Sequence, residues 1–181
     1  MISLLRKLFA DSTVKDAALQ VYGQIVEQAR VPEFYHSLGV PDSATGRFDM
    51  LALHGFLVLH RLRCDQESGD LAQALSDTMF ADMDRNLREM GVGDLSIGKH
   101  MKKLASHYFG RVVAYEVGLA GTDDQLRDAL RRNLYATADP AITQVDTMIA
   151  YVRAAAASLK QQPFSAFNGG TIKFAPVPGT P

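Results

Sequence analysis

A chain of 181 residues, 47% of them hydrophobic, is long enough to bury the core of one domain and too apolar to stay disordered. Its net charge of −1 supplies no global field to draw DNA or an anionic surface. The one cysteine, Cys64, excludes an internal disulfide and a multi-cysteine metal site.

The opening stretch MISLLRKLFA carries Arg6 and Lys7 inside its apolar residues, which makes a poor secretory signal. Residues 1–12 form an amphipathic segment whose Ile2, Leu4, Leu5, Leu8 and Phe9 either rest on lipid as an interfacial anchor or pack as a helical terminus. No apolar run reaches the roughly eighteen residues that cross a bilayer. A first long helix is expected from about Thr13 to Ala29, capped by Ser12 or Thr13, with Val14, Ala17, Ala18, Val21, Tyr22, Ile25 and Ala29 on its buried side. A short helix from Pro32 to Leu38 ends at Gly39, and turn formers fill Val40 to Gly46.

From Arg47 to Arg63 apolar residues occupy nearly the whole circumference, so this helix belongs at the centre of the domain. After the Ser68-Gly69-Asp70 break, Leu71, Leu75, Met79, Met83, Leu87 and Met90 share one face of the next helix. Gly91 and Gly93 stop it, at least one of them with positive φ, and Asp94 or Ser96 caps the helix that follows. That helix has Ile97, Met101, Leu104, Tyr108, Val112, Tyr115 and Leu119 as its stripe. Thr122 and Gln125 form a capping box for a helix ending near Tyr135. Asp139-Pro140 opens the last helix, with Ile142, Val145, Ile149, Val152, Ala156 and Leu159 facing in. The fold class is all-α: a single domain of about six to seven helices over 13–162, with an irregular Pro/Gly-rich extended tail over 163–181.

Charge gathers at the glycine corner. Asp82, Asp84, Arg85 and Arg88 precede it; Lys99, Lys102, Lys103 and Arg111 follow it as exposed cations. Helical spacing pairs Asp84 with Arg88 and Asp82 with Arg85. As a solvated face such pairs contribute little, so the alternative use of these residues is to meet a partner. The lysines can meet phosphate, of RNA or of lipid headgroups, but three are too few to define nucleic-acid binding. Gly93 to Lys99 fits G-x-x-x-x-G-K, yet no strand precedes it and His100 stands where Ser or Thr would hold magnesium. His100 and His107 are too far apart for a helical metal pair. The residues therefore define no catalytic, cofactor or metal site. The rival classes are a metal- or nucleotide-dependent enzyme using the 93–99 corner or the Asp82/Asp84 cluster, and a membrane-surface adaptor led by the first segment.

Two blocks carry a resemblance. DMDRNLREMGVGDLSIGK (82–99), followed by YFGR (108–111), and FYHSLGVPDSATGRFDMLALHGFLVLHRLR (34–63) are similar to the signature of the ubiquinol–cytochrome c chaperone family. With the helix between them they cover about half the chain. The resemblance implies an assembly chaperone, not an enzyme and without a cofactor, that holds newly made cytochrome b for the bc1 complex. It makes Asp82, Asp84, Arg85, Arg88, Lys99, Lys102 and Lys103 candidates for partner binding. In mitochondrial members a small partner protein and a ribosome contact belong to this activity. Without an arginine-rich transit segment the chain resembles a bacterial member, expected in the cytoplasm, with a peripheral place at the inner membrane left open.

Overall fold

No proline occurs before Pro32, and the first ten residues are mostly good helix formers. The first helix, α1, accordingly runs unbroken from Ile2 to Ala29 in the computed structural model, which describes residues 2–179 and side chains from Ser12 onward. Ser12 and Thr13 thus lie inside a helix and do not cap one. Which way Ile2, Leu4, Leu5, Leu8 and Phe9 point lies outside the described residues. Seven further helices follow: α2 (Glu33–His36), α3 (Ala44–Leu62), α4 (Gly69–Glu89), α5 (Asp94–Ala120), α6 (Asp123–Asn133), α7 (Ile142–Gln161) and α8 (Phe164–Asn168). Six are long and two are single turns, and no strand occurs among the described residues, so the fold is all-α.

The central helix is α3. Ser43 starts it, its hydroxyl accepting from the Gly46 N–H at 3.1 Å. Eleven of its residues are buried, more than in any other helix among the described residues. Helices α1 and α7 pack on it, α5 closes it from another side, and α4 lies along α1. The α5–α6 contact depends on Gly118, where an added Cβ would lie 2.8 Å from the Leu126 backbone. The capping box at α6 is present, with the Thr122 N–H donating to Gln125 Oε1 at 2.8 Å.

At the corner between α4 and α5, Gly91 has φ +88°. Its N–H bonds to the Arg88 carbonyl and that of Val92 to the Leu87 carbonyl, the double closure that ends a helix on a left-handed residue. Gly93, at φ −70°, occupies the position before α5. Neither Asp94 nor Ser96 caps α5: Asp94 is already in its first turn and turns its carboxylate to Arg88. Gly91→Ala is expected to cost about 1 kcal/mol from backbone strain alone, because a Cβ there meets no neighbour within 4 Å. Gly93→Ala should be close to neutral. Urea denaturation of both variants checks this, and equal stabilities would refute it.

The last third departs from the sequence expectation in two places. Helix α7 starts at Ile142, not at Pro140, because Gln144 reaches back to the Ala141 N–H (2.9 Å) and also donates to the Ser37 carbonyl. Ile142 consequently stands exposed beyond the packed stripe. Residues 163–179 also hold a helical turn. Phe167 is fully buried with the Arg61 guanidinium 5.2 Å from its ring centre, and Ile172 and Val177 are buried beyond it. Gln24 fixes this segment to α1 through the Gly170 carbonyl and the Ile172 N–H.

Candidate functional site

Between the second half of α1, the start of α3, the end of α4 and the first half of α5 lies a cleft of about 570 Å³. That is within the range of ligand-binding sites. Val26, Phe48, Leu51, Met83, Leu87 and Leu104 give it an apolar lining. Four cations line it, with His100 and His107 beside them: Arg47 is paired with Asp42 and Arg111 with Asp49, while Arg30 and Lys103 make no ion pair among the described residues, and Asp82 is the one lining carboxylate. The arrangement suits an amphipathic, acidic segment laid against apolar side chains.

Arg111 is where the sequence reading needs correcting. It is not an exposed cation: its side chain is 14% exposed and pairs at 2.6 Å with Asp49 of α3, itself 4% exposed. The guanidinium also packs 5.5 Å from the Phe48 ring centre. Burial pushes the Asp49 carboxyl up to about 6, although the Arg111 charge and hydrogen bond pull it the other way. This buried pair joins α3 to α5 beneath the cleft.

The structure divides the seven charged candidates. Asp82 and Lys103 line the cleft. Asp82 also has a structural part, since the Tyr22 hydroxyl donates to it at 2.7 Å and ties α1 to α4. Burial, then this bond, holds the Tyr22 phenol well above its usual range. Arg85 pairs with Asp82 at 2.8 Å, as its spacing predicts. Arg88 pairs with Asp84 at 2.6 Å and with Asp94 across the corner, so it joins two helices at the surface. Lys99, Lys102 and Lys103 are exposed and make no ion pair among the described residues. With about 100° per residue, Lys102 falls on the far side of α5 from the cleft. The lysines are therefore not one patch.

Sequence reasoning did not find the rest of the rim. Arg30 and Arg47 come from other helices, and nothing local links them to Lys103 or His107. One signal was available: Asp49 is the one carboxylate in a helix apolar around nearly its whole circumference, and a buried carboxylate needs a cation. The Gly93–Lys99 stretch is the entry and first turns of α5, following a helix and no strand, so it lacks the fold a phosphate-binding loop requires. Among the described residues no three His, Cys, Asp or Glu side chains converge as metal ligands. No helix among them is long and apolar enough to cross a membrane.

A family described as ubiquinol-cytochrome C chaperone matches residues 36–174. The human ubiquinol-cytochrome c reductase complex assembly factor 1 is 26% identical over 141 residues, which are 77% of this chain and 47% of that protein. The Xenopus laevis protein of that name is 24% identical, with 77% and 70% covered. The chain spans about half the length of the mouse and human proteins. A crystal structure of the Cbp3 homolog from Brucella abortus superposes with a TM-score of 0.84 at 37% identity, over 100% of both chains.

Proposed function

The chain belongs to the ubiquinol–cytochrome c chaperone family, and from that premise we propose that it is an assembly chaperone whose cleft holds cytochrome b until the bc1 complex takes it up. One observation carries the placement. Residues of the two blocks that bear the resemblance meet across this cleft: Ala44 to Leu51 on one wall, and Asp82 to Met90 with Arg111 on the other, where His100, Lys103, Leu104 and His107 of the intervening helix join them. An apolar lining with cationic edges suits a client segment that is apolar on one side and polar or acidic on the other. The mouse and human relatives, assembly factors of the ubiquinol-cytochrome c reductase complex, support assembly of the same complex, and the Brucella protein supports a bacterial setting. Asp82 and Lys103 are the binding residues on this reading. Asp84, Arg85 and Arg88 hold the corner in register beside them.

The test uses two exposed residues of the cleft edge that make no ion pair among the described residues. A folded Lys103→Glu, His107→Glu double variant is expected to lose about tenfold or more of the cytochrome b that co-purifies from solubilised native membranes, because new carboxylates on the rim repel an acidic segment and slow association. It should also lower bc1 complex yield. Lys160→Glu, exposed on α7 away from the cleft, should behave as wild type. Normal capture by the folded double variant would refute the placement.

A further inference from the structure

Helix α5 has a second face. Leu95, Phe109, Val113 and Val117 are 107%, 56%, 61% and 56% exposed, four of the seven large hydrophobic side chains left exposed among the described residues. At about 100° per residue they lie on the side of α5 turned away from the cleft-lining His100 and His107. Scattered surface hydrophobics are ordinary, but four on one helix face form a stripe that calls for a partner. Between them the helix is thin. Gly98 and Gly110 have open space where a Cβ would stand, with Ser106 one turn from Gly110, so another helix can approach the backbone closely.

The charges on this face select the partner. Lys102 and Glu116 lie seven residues to either side of Phe109, on the same line of the helix. Glu116 is 35% exposed and pairs with Arg63, whereas Lys102 makes no ion pair among the described residues. A two-fold axis at Phe109, with two copies of α5 antiparallel, sets each Lys102 against the partner's Glu116. The same rotation brings Lys99 to the C-terminal end of the partner's α5, the negative end of its dipole. The stripe is complementary to itself, which is what an isologous interface requires. A uniformly basic stripe would instead favour anionic lipid, and Glu116 breaks that uniformity.

We propose that α5 is a self-association surface through which two copies pair antiparallel about Phe109, Lys102 of each against Glu116 of the other. This is independent of the cleft, which stays open on the opposite side of the helix. Light scattering and sedimentation of the purified chain test it. The wild type is expected to form a dimer. Lys102→Glu and Glu116→Lys should each raise the dissociation constant about tenfold or more by placing like charges face to face. The Lys102→Glu, Glu116→Lys double variant should dimerise again, and mixing the two single variants should give a heterodimer. Val113→Arg, at an exposed apolar position, should also dissociate the dimer with unchanged circular dichroism. A monomer at every concentration, a dimer indifferent to all of these changes, or no recovery in the mixture would overturn the proposal. So would a monomer that floats with phosphatidylglycerol vesicles and loses that binding on Val113→Arg, since the stripe would then serve lipid.

Discussion

Arg111→Met is expected to lower the unfolding free energy by about 3–5 kcal/mol at pH 7, the usual consequence of removing one member of a buried ion pair. The methionine fills most of the space against Phe48 but leaves Asp49, 3% exposed, as an uncompensated carboxylate under the cleft. Its pKa, already raised by burial, must rise further once the cation is gone. A carboxyl whose folded pKa exceeds its unfolded value stabilises the fold at low pH and ceases to do so as pH rises through the folded pKa. The deficit of Arg111→Met, measured against wild type at the same pH, should therefore shrink between pH 7 and pH 5. Asp49→Asn in the same background should remove the pH dependence. Replacing both partners by apolar residues should restore most of the stability. Urea denaturation decides the matter: a loss under about 1 kcal/mol at pH 7 would mean that Asp49 is solvated and the pair is dispensable.

Why this pair escaped sequence reading shows where local information ends. Helix α3 was legible because its apolar circumference is a property of neighbouring residues, and the closure at Gly91 because helix termination is local chemistry. The Thr122–Gln125 box was legible for the same reason. The partner of Asp49 was not, since Arg111 sits on another helix among residues that look equally suited to solvent. The cleft follows the same rule. Two of its edge residues belong to the charged corner, but Arg30 and Arg47 reach it only through the packing of α1 and α3 against α5. In the C-terminal segment the missing signal is periodicity. Phe167 is buried from a single helical turn, and Ile172 and Val177 one at a time from the irregular chain beyond it, whose backbone groups bond to Gln24 and Gln162. No 3.6- or 2-residue repeat can announce such packing.

Around the cleft, polar links add a specificity of register that apolar packing alone lacks. Tyr22 to Asp82 joins α1 to α4, Arg88 to Asp94 joins α4 to α5, and Asp49 to Arg111 joins α3 to α5. Together they fix the four helices that wall the cleft. An exposed link such as Arg88–Asp94 contributes little stability, so its loss should alter the orientation of the corner more than the melting temperature.

His54 supplies the second large effect, and of opposite sign in pH. It is fully buried in α3, with Nδ1 2.8 Å from the Met50 carbonyl and Nε2 2.7 Å from the Tyr151 hydroxyl. A carbonyl can only accept, so Nδ1 carries the proton and Nε2 accepts from Tyr151, whose oxygen accepts in turn from Gln28 at 2.9 Å. The rings of Phe34 and Phe174 stand edge-on to it at 5.4 and 5.2 Å. Burial lowers the imidazole from 6.5 to about 4. A depressed histidine stabilises the fold above its unfolded pKa, and that contribution is lost as pH falls from about 6.5 to about 4. The shift corresponds to about 3 kcal/mol. Asp49 works against it, gaining stability as pH falls from about 6 towards 3.8. The two contributions therefore oppose each other over this range. Asp49→Asn should uncover a protein that weakens steeply towards pH 4. His54→Leu should lose about 2–4 kcal/mol at pH 7, from the broken hydrogen bonds and imperfect refilling, yet recover part of that relative to wild type at pH 4. Unfolding free energies across this range would overturn the assignment if both variants ran parallel to the wild type, because neither group would then change its protonation on unfolding.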